Sequence, residues 1–178
     1  MATILQFIAQ CLDRQGWKYE IEAANFRIIT SVQAQNGEDL WIVLQLLEGG
    51  KFLQFCAPQI LHVKDHVYKG VLFQTMLAIS WEVKMLRFEY DPTDGEVRAS
   101  IELPLEDAEL TYQQFDRCLS NLSNLVEHVA MPRLKAVLAT GQDPGQTLLA
   151  ESWLDTLPEE LLNLLEQAMA ARQQRRNI

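Results

Sequence analysis

His66-Val-Tyr-Lys-Gly-Val-Leu-Phe-Gln-Thr-Met-Leu-Ala-Ile-Ser-Trp-Glu-Val-Lys-Met85 is the stretch whose reading decides the fold. At 3.6 residues per turn, one stripe carries Val67, Val71, Ala78 and Trp81, and a second carries Tyr68, Leu72, Met76, Ile79 and Val83. Phe73 and Leu77 stand between the two. From Val67 to Trp81 the polar relief comes only from Lys69, Gln74, Thr75 and Ser80. A surface helix shows one apolar stripe of about 100°. A helix apolar over most of its circumference predicts cover on more than one side: a sheet of the same chain on one, a second subunit on the other. The expected protein-binding or dimer face is Val67, Val71, Phe73, Gln74, Leu77, Ala78 and Trp81.

Working outward, three strands precede this helix. Phe26, Ile28, Thr30 and Val32 alternate with Arg27 and Ser31. Asn36-Gly37 carries hairpin chemistry, because a type I′ turn needs positive φ at both central residues. Leu40–Leu47 is apolar on both faces and belongs inside a sheet. Glu48-Gly49-Gly50 turns the chain into a third strand through Phe52, Leu53, Phe55 and Cys56, which Pro58 is expected to end. At the N-terminus, Thr3 and Gln6 have capping-box spacing, and a helix is read over residues 3–15 with Gly16 as its stop. Trp17–Ala24 is extended and poorly patterned.

After the central helix, Leu86, Phe88 and Tyr90 alternate with Arg87 and Glu89. Asp91-Pro-Thr-Asp-Gly95 is a turn. Val97, Ala99, Ile101 and Leu103 then alternate with charged or small polar residues. Thr111 and Gln114 form a second capping box, with Leu110 placed to staple onto Phe115. Phe115, Leu119, Leu122, Val126 and Val129 make one stripe. Pro132 is expected to kink or break that helix, Leu134, Val137 and Leu138 resume it, and Gly141 ends it. Gln142–Gln146 reads as a linker. A final amphipathic helix at 158–172 carries Leu157, Leu161, Leu164 and Leu165, either docking back or binding a partner. The order is α-β-β-β-α-β-β-α: an α+β domain over 1–141 with an antiparallel sheet packed by helices, then a C-terminal helical appendage over 142–178.

Composition limits the function. The 178 residues include 48% hydrophobic and 22% charged, enough to bury a core. A net charge of −9 with scattered Lys and Arg excludes nucleic acid as the expected partner. No apolar run reaches the ~20 residues of a membrane span, and residues 1–17 lack the features of a signal peptide. The expectation is a cytoplasmic protein with no membrane span. Cys11, Cys56 and Cys118 are far apart in sequence and read as reduced, buried thiols.

The passage Ala99–Leu122, ASIELPLEDAELTYQQFDRCLSNL, resembles the strand, Pro-Leu, acidic-Ala, Leu-Thr, helix passage of YbjN-like bacterial proteins. Pro132 followed by Leu134 is similar to their late-helix Pro-x-Leu. The element order resembles type III secretion chaperones of the Tir class, which share this fold, and also an uncharacterised family of photosynthetic bacteria. The resemblance implies a small acidic protein, often dimeric, that binds other polypeptides and catalyses nothing. It implies a dimer interface built by the second helix and partner peptides wrapped over sheet and helices. The appendage departs from that pattern.

Candidate chemistry is sparse. His62 and His66 flank Asp65, but Asp65 reads as the N-cap of the central helix. That leaves His62 in a loop, out of metal-ligand register. His128 has no nucleophile near it in sequence. The carboxylates from Glu89 to Glu109 read as the wet face of a hairpin and a helix entry. No phosphate loop, nucleophile elbow or C-x-x-C occurs. No catalytic, cofactor or metal residue is assigned, and no cofactor is expected. The expected function is a non-enzymatic protein-binding or chaperone-like homodimer with an unidentified protein partner. The alternative is a small-molecule or metal-binding sensor.

Overall fold

A computed structural model describes residues 2–33, 39–145, 158, 159, 161 and 162. The chain divides after Asp143 into two units. The first unit carries the sheet and the helices packed on it.

Helix α1 spans Ala2–Arg14. It already contains Thr3, so Thr3 stands inside the helix and not ahead of it as a cap. Gly16, at φ 72°, reverses the chain, and the Trp17 N–H donates to the Leu12 carbonyl at 3.1 Å. Strand β1, Tyr19–Glu22, follows where no strand was expected. Its four residues do alternate, Tyr and Ile against two Glu, but so short an edge strand is stabilised chiefly by its neighbour. Thr30 Oγ1 donates to the Lys18 carbonyl at 2.7 Å, and Arg27 bonds the Glu22 carboxylate at 2.7 Å.

Strands β2 (Arg27–Gln33), β3 (Asp39–Leu47) and β4 (Phe52–His62) form a meander. The expected turn at Asn36-Gly37 lies outside the described residues. Pro58 does not end β4, which continues to His62. The register with its neighbour slips between Ala57 and Leu61, and Gln59 takes φ 53° with its N–H on the Glu96 carboxylate at 3.0 Å. Proline lacks a ladder donor, and such an irregularity is where a strand tolerates one.

Helix α2 is Lys69–Glu82. Asp65 is not its cap. The helix starts four residues later, behind Tyr68, whose side chain makes no capping bond. Strands β5 (Arg87–Tyr90) and β6 (Glu96–Pro104) form the second hairpin. At its turn Gly95 takes φ 89°, and a Cβ there would lie 2.5 Å from the Lys64 backbone. Only glycine lets this turn close onto the end of β4, where the Gly95 carbonyl accepts from the Val63 N–H at 2.8 Å.

The sheet has six strands in the order β1-β2-β3-β4-β6-β5, antiparallel throughout. Ile28, Leu44, Phe55 and Ile101 are successive cross-strand partners and are all buried, so one row of the core crosses four strands. Helix α3, Tyr112–Asn124, lies over this face with Phe115, Leu119 and Leu122 fully buried and the Phe115 ring 5.5 Å from that of Phe55. Its capping box is formed as read, with the Gln114 N–H on Thr111 Oγ1 at 3.2 Å and the Thr111 N–H on Gln114 Oε1 at 3.0 Å.

Pro132 does not break the rod. The path continues through a π segment, Leu125–Ala130, into α4, Met131–Thr140, with Pro132 in the first turn of α4. A widened π turn just before the proline absorbs its missing donor and ring volume. Gly141 ends α4 at φ 75°. Glu159, Leu161 and Leu162 of the expected final helix are helical.

Candidate functional site

Helix α2 packs against β5 and α4. It buries Leu72, Thr75, Met76 and Ile79, which fall on one side at helical spacing. The opposite side is apolar and open. Val67, just ahead of the helix, is 83% exposed, Leu77 is 73% exposed and Trp81 is 90% exposed. Gln74 is exposed between them, and Val71 and Ala78 are half-buried along the same side. A Cβ built on Gly70 would meet nothing, so this side is open there too. From His66 to Trp81 there is no Asp or Glu, although the chain carries −9 overall.

Phe73, expected on the open side, is turned toward β5. Its ring sits 4.8 Å from that of Tyr90. With Tyr90, Phe88 and Leu86 it walls an apolar groove of about 380 Å³ that Leu77 and Ser80 border from the helix. Lys69 Nζ lies 5.8 Å from the centre of the Tyr90 ring.

The C-terminal end of α2 is held by a group that sequence reading did not single out. Arg133, on α4, is 2% exposed. Its Nη1 bonds the Glu82 carboxylate at 2.6 Å, and its Nε and Nη2 grip Asp143 at 3.0 and 2.7 Å. A buried guanidinium needs this pairing. The sequence offers no signal for it, because Glu82 is 51 positions away.

The face of the sheet turned away from the helices carries a charge ladder. Arg87 bonds Glu89 and Glu102 at 2.8 and 2.7 Å, Arg98 bonds Glu89 at 3.0 Å, and Ser100 donates to Glu89 at 2.8 Å. Burial by itself would raise the Glu89 carboxyl, but the bonds from Arg87 and Ser100 hold it below the usual carboxylate range. These carboxylates are engaged in cross-strand pairs. Burial pushes the Cys56 thiol up to about 11 and raises Cys11 and Cys118 as well, so all three sit as thiols.

His62 is the exposed last residue of β4, and His66 Nδ1 accepts the Tyr68 N–H at 3.2 Å. His128 lies 4.0 Å from the Glu127 carboxylate. Among the described residues no three His, Cys, Asp or Glu gather as metal ligands. No helix among them is long and apolar enough to cross a membrane. Of the expected docking helix, Leu161 is described and exposed, whereas Leu157, Leu164 and Leu165 lie outside the described residues.

The fold has solved counterparts. YbjN of E. coli superposes with a TM-score of 0.56 at 16% identity, over 74% of this chain and 92% of YbjN. The chain has a YbjN-like fold. A chain of the ExsC-ExsE complex superposes on this YbjN-like domain with a TM-score of 0.53 at 20% identity, covering 72% of this chain and 92% of that one. The HopA1-SchA chaperone-effector complex gives 0.48 at 14% identity over 72% of this chain and 91% of that one. No protein-family model matches the sequence, and no curated protein does.

Proposed function

We propose that this YbjN-like domain is a non-enzymatic, chaperone-like protein-binding module that acts as a homodimer through the open side of α2. The observation that carries this reading is the exposure of Val67, Leu77 and Trp81 on one uncharged side of a helix in an acidic chain. Solvent-exposed apolar patches of several hundred Å² mark interaction surfaces. A fold shared with a chain of the two-protein ExsC-ExsE complex supports polypeptide as the partner class. The domain ends between Gly141, which stops α4, and Asp143, where the first unit closes, and the appendage follows it. Leu157, Leu161, Leu164 and Leu165 of the appendage are a second docking set, for a partner or for the chain's own first unit.

Sedimentation equilibrium tests the dimer. The native chain is expected to sediment as a dimer and Leu77→Glu as a monomer with an unchanged circular dichroism spectrum. A native chain that stays monomeric at the highest attainable concentration would refute the self-association. The sensor reading draws on the groove beside Tyr90, whose volume falls in the range of small-ligand sites. Native mass spectrometry separates the two, since a sensor carries an adduct of fixed small mass.

A further inference from the structure

Two features of the α2 surface lack a partner among the described residues, and they lie side by side. One is Trp81, whose indole is almost wholly in water. A tryptophan can bury ~150–250 Å² and dominates the contacts it enters. The other is the groove walled by Phe73, Leu86, Phe88 and Tyr90 and bordered by Leu77 and Ser80. Trp81 follows Ser80 directly in the helix, yet its exposure shows that it does not fill the groove of its own chain.

We infer that Trp81 of one copy inserts into the Phe73–Tyr90 groove of a second copy, and reciprocally. This rests on the self-association proposed above and specifies its contact. A two-fold axis makes an interface self-complementary, so a protrusion and a recess beside each other on one chain are exchanged between two copies. An axis passing between Trp81 and the groove sets each indole against the partner's recess. The groove offers aromatic walls at Phe73, Phe88 and Tyr90, and aromatic rings pack tilted or offset against one another.

Charge and area select a second copy as the occupant. Two chains of −9 repel, and His66–Trp81 is a stretch through which they can meet without opposing carboxylates. The charged residue lining the groove, Arg87, is already paired with Glu89 and Glu102, so it leaves little charge there to steer a basic or acidic partner. The exposed side chains of Val67, Leu77 and Trp81 present on the order of 500 Å² per copy, and two copies reach the ~1,000 Å² at which specific interfaces begin.

The test uses the full chain and two variants, Trp81→Ala, which lacks the protrusion, and Ser80→Phe, which places a ring in the recess. Both positions border open space, so circular dichroism should match the native chain, and so should the thermal midpoint at concentrations where all three are monomeric. Each variant alone is expected to self-associate on the order of 30-fold or more weaker than native, as for truncation of a hot-spot aromatic. Mixed together they restore one indole in one open groove. The heterodimer is therefore expected to be tighter than either variant's homodimer by sedimentation, with a blue shift in tryptophan emission. A mixture no tighter than the separate variants would overturn the insertion. So would two variants that dimerise like native while Leu77→Glu is monomeric, and in that case the α2 homodimer stands without it. A monomeric native chain removes both.

Discussion

Helices α2 and α3 lie in one unit, contribute to one core and have nearly equal length, yet they are built on opposite plans. Helix α3 has a reciprocal capping box, a single apolar stripe that is fully buried, and a polar outer side. Helix α2 has no side-chain cap, a buried stripe of similar size, and a second apolar side left in water. Every part of α3 is accounted for by its own chain. The surplus on α2 adds nothing to the stability of one copy. A terminus without a side-chain cap is tolerable there because tertiary contacts hold both ends: Tyr68 packs close against Gly141, and Arg133 grips Glu82. The lesson is that stability and recognition are carried by different sides of the helices, which mutation can separate.

The largest effect should come from the α3 stripe. Phe115→Ala removes a fully buried ring packed on Phe55 and is expected to cost about 3–5 kcal/mol. Chemical denaturation would show the midpoint falling with little change in slope. A loss below about 1 kcal/mol would mean that α3 is not the anchor the comparison makes it. Next is its cap. Thr111→Ala strands the Gln114 N–H and should cost about 1 kcal/mol. Hydrogen exchange would show faster exchange confined to the first turn of α3. The smallest stability effect belongs to the open side of α2. Leu77→Ser should change unfolding free energy by less than about 0.5 kcal/mol in a monomeric range of concentration. A larger loss there would show that the exposed side supports the fold and would erase the contrast with α3.

Most local features were legible in sequence because their causes are local. The Thr111–Gln114 box needs residues three apart, and Gly16, Gly95 and Gly141 occupy positive φ as turn and stop chemistry requires. The alternation of Val97, Ala99 and Ile101 does place them on the buried face of β6. The all-round apolarity of residues 66–85 announced surplus surface on α2. It did not tell which residues carry that surplus. Phe73 and Leu77 stood together between two stripes, yet one turns to Tyr90 and the other to water. That choice depends on where β5 passes.

By itself, then, the sequence determined the helices and strands of the first unit other than Tyr19–Glu22, and the positive-φ turns and stops at Gly16, Gly95 and Gly141, since each is set by contacts within a few residues. Only the tertiary structure decided the rest. Strand β4 runs past Pro58 because β6 pairs with it on both sides of the irregular stretch. Tyr19–Glu22 becomes a strand because β2 offers it an edge. Arg133 can be buried because Glu82 and Asp143, remote in sequence, converge on it. Which side of α2 faces water follows from the positions of β5 and α4. Each of these outcomes is a pairing between distant groups, and pairings at a distance leave no periodicity in the chain.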